Sequence, residues 1–206
     1  MLNAIKPVAI ACLFLAYPFL SAYLAKLGFA SLELVVFAGI SFWRGIKLEK
    51  ILYRLATLAL VAVLLVAAYF SNAYFIWLVP SFVYIGLTIL FGHTLWSPPT
   101  LCERLVRLLY PDFIPGIAEY LRQVTWVWTV FFAVNVLVCA LLPLFAGPKA
   151  WAVYTGVLVY LLMGVLVVAE WLYRHKRFPD LEIPPMLETA KFFALNGHKL
   201  FEDKPL

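Results

Sequence analysis

Apolar residues fall in long runs separated by short polar breaks, and this pattern predicts an all-α polytopic membrane bundle of six spans. The runs cover residues 5–24, 28–43, 51–69, 74–95, 124–145 and 150–173. Crossing the hydrocarbon core takes about 20 largely apolar residues. The second run is the shortest and carries Glu33. Pro18 in the first run predicts a kink, not a stop, because neighbouring helices can satisfy the carbonyl that a proline frees. The breaks at 25–26, 70–73 and 146–149 are short, so consecutive spans are expected to pack as antiparallel hairpins. The first run lacks a small-residue cleavage site and is followed by further runs, so it is expected to be a retained helix.

One long polar interruption, residues 95–135, divides the apolar bulk. Pro98 and Pro99 hold the residues before them extended. Thr100 and Glu103 then stand at capping-box spacing, which predicts a helix over 100–109 between spans 4 and 5. On a helical wheel Leu101, Leu105, Leu108 and Leu109 share one face, and Glu103, Arg104 and Arg107 share another. Such a helix is expected in the interface, with its leucines in the lipid boundary and its charges at headgroup level. Glu103, Arg104 and Arg122 form a candidate polar site facing a lipid headgroup or a soluble partner.

Charge gives the orientation. Lys6, Arg44, Lys47, Lys50, Arg54, Arg104, Arg107, Arg122, Arg174, Lys176 and Arg177 fall on alternate connections, whereas the opposite set holds only Lys26 and Lys149. The positive-inside rule places the first set, the interface helix and both termini in the cytoplasm. Trp43, Trp77, Trp96, Trp126, Trp151 and Trp171 cluster near run ends, as interfacial aromatics do. The chain of 206 residues is 65% hydrophobic and 13% charged, against about 25% charged in soluble domains. Its net charge of +5 is assigned to anionic headgroups, and no nucleic-acid partner is expected. Cys12, Cys102 and Cys139 are scattered, with neither a disulfide framework nor zinc spacing. Residues 174–206 form a polar cytoplasmic tail in which 186–195 can make one further surface helix.

A charge inside a span is costly and asks for a reason. Glu33 is expected to pair with Lys26, the alternative being a proton-carrying or substrate-binding carboxylate. Glu170 precedes Arg174 by four residues, the favourable order for a helical ion pair. His93 reads as a hydrogen-bonded packing residue, and Asn135 as a helix–helix hydrogen-bonding residue. No G-x-S-x-G, H-E-x-x-H or Walker loop is present. No metal or cofactor is expected, and the chain reads as a non-enzyme.

Leu101, Glu103 and Arg104 in the interface helix are followed by Tyr120, Arg122, Thr125, Trp128, Phe131, Phe132 and Asn135 entering span 5. On these residues the chain resembles a family of bacterial inner-membrane proteins of unknown activity, often encoded beside genes that make aryl-polyene or xanthomonadin-type pigments. Through Trp128-Thr129-Val130-Phe131-Phe132 and Tyr173-Arg174-His175 it more distantly resembles the septation protein A family. The first resemblance implies an inner-membrane accessory or scaffold protein that supports synthesis or transfer of a lipid-like polyene product. Its partners would be membrane lipids and biosynthetic proteins. The second implies a structural envelope protein acting through envelope protein partners. A lipid transporter or acyl-handling enzyme using Glu33, His93 or Arg122 is a third alternative.

Overall fold

A computed structural model describes residues 16–47, 51–70, 74–108, 114–179, 181 and 188. Among these the chain is helical throughout, without strands. Helix α1 covers 16–26. It is followed by α2 (Ala30–Gly45), α3 (Ile51–Tyr69), α4 (Tyr74–Trp77), α5 (Val79–Trp96), α6 (Leu101–Arg107) and α7 (Ile117–Phe145). Helix α8 (Gly147–Val153), a π-helical turn (Tyr154–Leu158) and α9 (Val159–Arg177) complete the order.

Three helical stretches are long and apolar enough to cross a membrane: Tyr74–Trp96, Ile117–Phe145 and Gly147–Arg177. Thr57–Tyr69 is a shorter apolar helix. The first expected span begins outside the described residues. Helix α2 has 16 residues. At 1.5 Å per residue that is about 24 Å, less than the roughly 30 Å of hydrocarbon.

Several boundaries differ from those expected. The fifth apolar element starts at Ile117 and not near 124. Gly116, at φ +84°, turns the chain in a conformation that side chains disfavour, and helix-tolerant polar residues then carry α7 inward. The sixth begins at Gly147 and runs to Arg177, so the first residues assigned to the tail are helical. The helix expected over 186–195 lies outside the described residues, apart from Glu188.

The chain divides into two compact units, Met1–Val83 with Val136–Tyr160 and Tyr84–Asn135 with Leu161–Leu206. In the first, Ala30, Leu34 and Ala38 recur every four residues along α2 and bury against Val61, Leu64, Ala67, Ala68 and Ile76. Small side chains on both helices let the backbones approach, as in membrane helix pairs. Gly45 extends this face, and a Cβ built there would lie 2.6 Å from Thr57 Cγ2. Gly45→Val is therefore expected to destabilise the α2–α3 pair by about 1–3 kcal/mol through overpacking. Gly39→Val, at a position with nothing within 4 Å, serves as the control. Detergent-titrated unfolding followed by circular dichroism reads both, and equal midpoints would show that the close approach is absent.

The same unit handles the helix break that Pro80 imposes. Pro80 has no N–H to offer the Ile76 carbonyl, and the helix is interrupted at Leu78. The Tyr17 hydroxyl donates to Ile76 O at 3.4 Å, and Trp151 Nε1–H donates to Trp77 O at 3.1 Å. The Tyr74 hydroxyl donates to Ala140 O at 2.8 Å, three residues before Pro143.

In the second unit Cys102, Val106, Ile117, Tyr120 and Leu121 form the core, covered by Phe91, Val124, Trp128, Phe178 and Leu181. An aromatic cluster of Tyr84, Phe91, Trp128 and Phe132 adjoins it. The hydroxyls of Thr88, Thr125 and Thr129 donate to carbonyls four residues back in their own helices, which satisfies them among apolar side chains.

Candidate functional site: a polar cleft between α6 and α7

Helix α6 is pinned at its start from two directions. The Thr94 hydroxyl donates to Phe91 O at 2.8 Å and accepts from the Leu101 amide at 3.0 Å, tying the first turn to the end of α5. The Thr100 amide donates to Glu103 Oε2 at 3.3 Å, one half of the expected capping box. The Thr100 side chain stands in the return position of the box, toward the Glu103 amide, but makes no side-chain capping hydrogen bond. The buried Thr100 Oγ1 is left without a partner among the described residues.

The charges on α6 do not form the solvated face that the wheel predicts. Glu103 is buried, together with Leu101, Cys102 and Val106, while Leu105 and Leu108 are half-buried. Cys102 and Val106, four residues apart, face Ile117, Tyr120 and Leu121, so packing against α7 sets the helix's rotation. Glu103 tolerates burial because its charge is satisfied. Arg107 reaches Oε1 through Nη2 at 2.7 Å and through Nε at 3.2 Å, and the other oxygen caps the helix. The four-residue spacing of that pair is legible in the sequence. Arg104 is a strap, not a free headgroup ligand: Nε donates to Pro99 O at 2.8 Å and Nη2 to Ser97 O at 3.4 Å. The Pro98-Pro99 bond of this turn is cis.

Between this pinned helix and the start of α7 lies a cleft of about 520 Å³, lined by Pro98, Thr100, Glu103, Ala118, Glu119, Arg122, Gln123 and Trp126. Arg122 is exposed and holds the Leu95 carbonyl only weakly, Nη2 to O 3.5 Å. Glu103 is engaged by Arg107, so Arg122 carries the cleft's available positive charge, with the exposed Glu119 carboxylate on the same lining. Trp126 packs edge-on against Trp96, with ring centroids 6.2 Å apart, giving the rim an interfacial aromatic pair. A guanidinium fork beside amphipathic rings suits a phosphate or carboxylate on an apolar body.

A second polar cluster stands behind α6. Arg174 Nη2 bonds Glu170 Oε2 at 3.0 Å, as the spacing predicts. The Tyr120 hydroxyl donates to Glu170 Oε1 at 3.1 Å across fifty residues of sequence, which no local pattern signals. A small cavity of about 120 Å³ is lined by Cys102, Leu121, Glu170, Arg174 and their neighbours. Burial pushes the Cys102 thiol up to about 11, so at neutral pH it is a protonated apolar filler.

The remaining sequence candidates lie elsewhere. Glu33 belongs to the first unit. Its Oε2 accepts from Ser21 Oγ at 3.2 Å, and no ion pair with Lys26 forms among the described residues, against expectation. His93 is exposed and makes no side-chain hydrogen bond among the described residues, so it is not the packed residue expected. Asn135 is buried and donates from Nδ2 to Phe131 O of its own helix at 2.8 Å. The structure thus gathers Glu103, Arg104, Arg107 and Arg122 around one turn and leaves Glu33, His93 and Asn135 outside it. Among the described residues no group of three or more His, Cys, Asp or Glu side chains could hold a metal. Comparisons of the chain with protein-family models, curated proteins and solved structures find no match.

Proposed function

We propose that this protein is a six-span component of the bacterial inner membrane with both termini cytoplasmic. It acts there as a non-enzymatic accessory or scaffold supporting synthesis or transfer of a lipid-like aryl-polyene product. The observation that carries the reading is the cleft between α6 and α7. Its one available guanidinium, Arg122, stands beside a turn held rigid by Thr94, Arg104 and the Glu103–Arg107 pair. An exposed cation beside a pinned turn and next to interfacial tryptophans can hold the polar end of an amphiphile, or the acidic surface of a biosynthetic or envelope protein, while the apolar remainder stays in the bilayer. Three long apolar helices support the membrane setting, and the asymmetry of basic residues supports the orientation. The resemblance at Leu101, Glu103, Arg104 and Arg122 supports the product class.

Arg122→Glu should leave membrane accumulation unchanged, because Arg122 is exposed and weakly held. It should lower polyene output about tenfold or more, the effect of reversing a charge worth at least about 1.4 kcal/mol to the contact. Arg122→Lys should retain part of the output. Membrane fractionation and pigment absorbance read the two quantities. Normal pigment from an inserted Arg122→Glu protein would overturn the reading, and filamentous cells with normal pigment would move it to the septation-type alternative.

A further inference from the structure

Lys26 and Lys149 are the two basic residues on the cation-poor set of connections, where the positive-inside rule leaves them unexplained. In the first compact unit they line the same cleft. It measures about 900 Å³ and is otherwise walled mainly by Phe19, Ala22, Tyr23, Trp77, Ala152 and Val153. That volume lies in the upper part of the usual small-molecule range of about 300–1,000 Å³. Both lysines are exposed, and neither forms an ion pair among the described residues. The wall is therefore apolar and aromatic, with two uncompensated positive charges, one at the end of α1 and one in the first turn of α8.

Two further features belong to this wall. The π-helical turn Tyr154–Leu158 follows Val153 directly, and such turns recur at functional sites. Within it, Gly156 makes room for Phe19: a Cβ there would collide with the Phe19 ring. Trp77 Nε1–H is buried and lacks an acceptor among the described residues, which leaves one more donor near the cleft unsatisfied.

We propose that this cleft is a binding site for an anionic phospholipid, with acyl chain against Phe19, Trp77 and Val153 and phosphate between Lys26 and Lys149. Apolar walls alone would accept any lipid. The paired lysines impose a negative head, and the surrounding bilayer supplies such a molecule at high local concentration. This inference rests on the membrane setting but not on the polyene product or on Arg122, so it stands or falls separately from the cleft beside α6.

The test uses the full chain reconstituted in vesicles of phosphatidylcholine with one tenth phosphatidylglycerol, then gently extracted, with co-purifying lipid quantified by mass spectrometry. Wild type should retain phosphatidylglycerol well above its bulk share. Lys26→Gln with Lys149→Gln should cut that enrichment about thirtyfold, since two basic residues near an anionic headgroup are worth about 1 kcal/mol each. Lys26→Arg with Lys149→Arg should preserve it. Lys176→Gln with Arg177→Gln removes the same charge from exposed positions outside the cleft, where a headgroup contact is loose and no apolar wall holds the lipid, and should cost far less of the enrichment. Gly156→Ala, which displaces Phe19 without touching charge, should lower total retained lipid. No enrichment in wild type, an equal loss in the Lys176/Arg177 variant, or preferential displacement by added oleate would each overturn the assignment, the last in favour of a free fatty acid.

Discussion

Trp151→Ala is expected to destabilise the protein by about 3–5 kcal/mol, the range for deleting a large buried aromatic. Trp151 is fully buried, at 0% exposure. Its ring packs against Trp77, with centroids 6.5 Å apart, and its Nε1–H serves the Trp77 carbonyl at the helix break before Pro80. Two contributions can be separated. Trp151→Phe keeps most of the ring but removes the donor, and should cost about 1–3 kcal/mol for the buried carbonyl left unserved. The control is Trp43→Ala, because Trp43 is 58% exposed and anchors nothing in the core. Unfolding by denaturing detergent, followed by circular dichroism, ranks the three. If Trp151→Phe matches wild type, the indole bond does not stabilise the break. If Trp151→Ala matches Trp43→Ala, the residue is an interfacial aromatic and nothing more.

That role could not be read from the chain. Trp151 stands near the start of an apolar run, and by position alone it is one more interfacial tryptophan. Only folding brings it to Pro80's neighbourhood, seventy-four residues from its acceptor. What could be read was the apolar periodicity: the helical class, the long elements expected at 74–95, 124–145 and 150–173, and the polar interruption between the first two. The boundaries moved because helices continue past the apolar residues wherever turn chemistry allows. Gly116 and Gly147, at φ +84° and +78°, mark where α7 and α8 begin better than hydropathy does.

The candidate site was legible in composition but not in arrangement. The wheel treated α6 as a helix facing lipid and sorted its leucines from its charges. The helix instead faces α7, so Cys102 and Val106 turn inward and Glu103 goes with them. Burial of Glu103 became affordable through Arg107, at a spacing the sequence displays, and through the Thr100 amide. The same logic failed for Glu33, where Lys26 was the nearest cation in sequence but Ser21 is the partner in space. Proximity along the chain predicted ion pairs correctly only within one helix, as for Glu170 and Arg174.

Arg174→Ala should accordingly be the most damaging charge deletion in the second unit. Arg174 is 9% exposed, and it neutralises Glu170, whose side chain is 19% exposed. Removing the guanidinium leaves that carboxylate with the Tyr120 hydroxyl as its remaining side-chain partner. Breaking a buried pair by deleting one member costs about 3–5 kcal/mol. The partial access of Glu170 to solvent puts the expected loss near the lower end, about 3 kcal/mol. The pair as a whole is a different matter, since well-packed apolar replacements of a buried pair are often neutral or better. Glu170→Leu with Arg174→Leu should therefore recover most of the stability lost in the single variant, with Tyr120 still close to the Glu170 main-chain carbonyl at 3.4 Å. Unfolding midpoints of the single and double variants decide between the two descriptions. A double variant no more stable than Arg174→Ala would mean that Arg174 stabilises the unit by packing and not by holding the charge of Glu170.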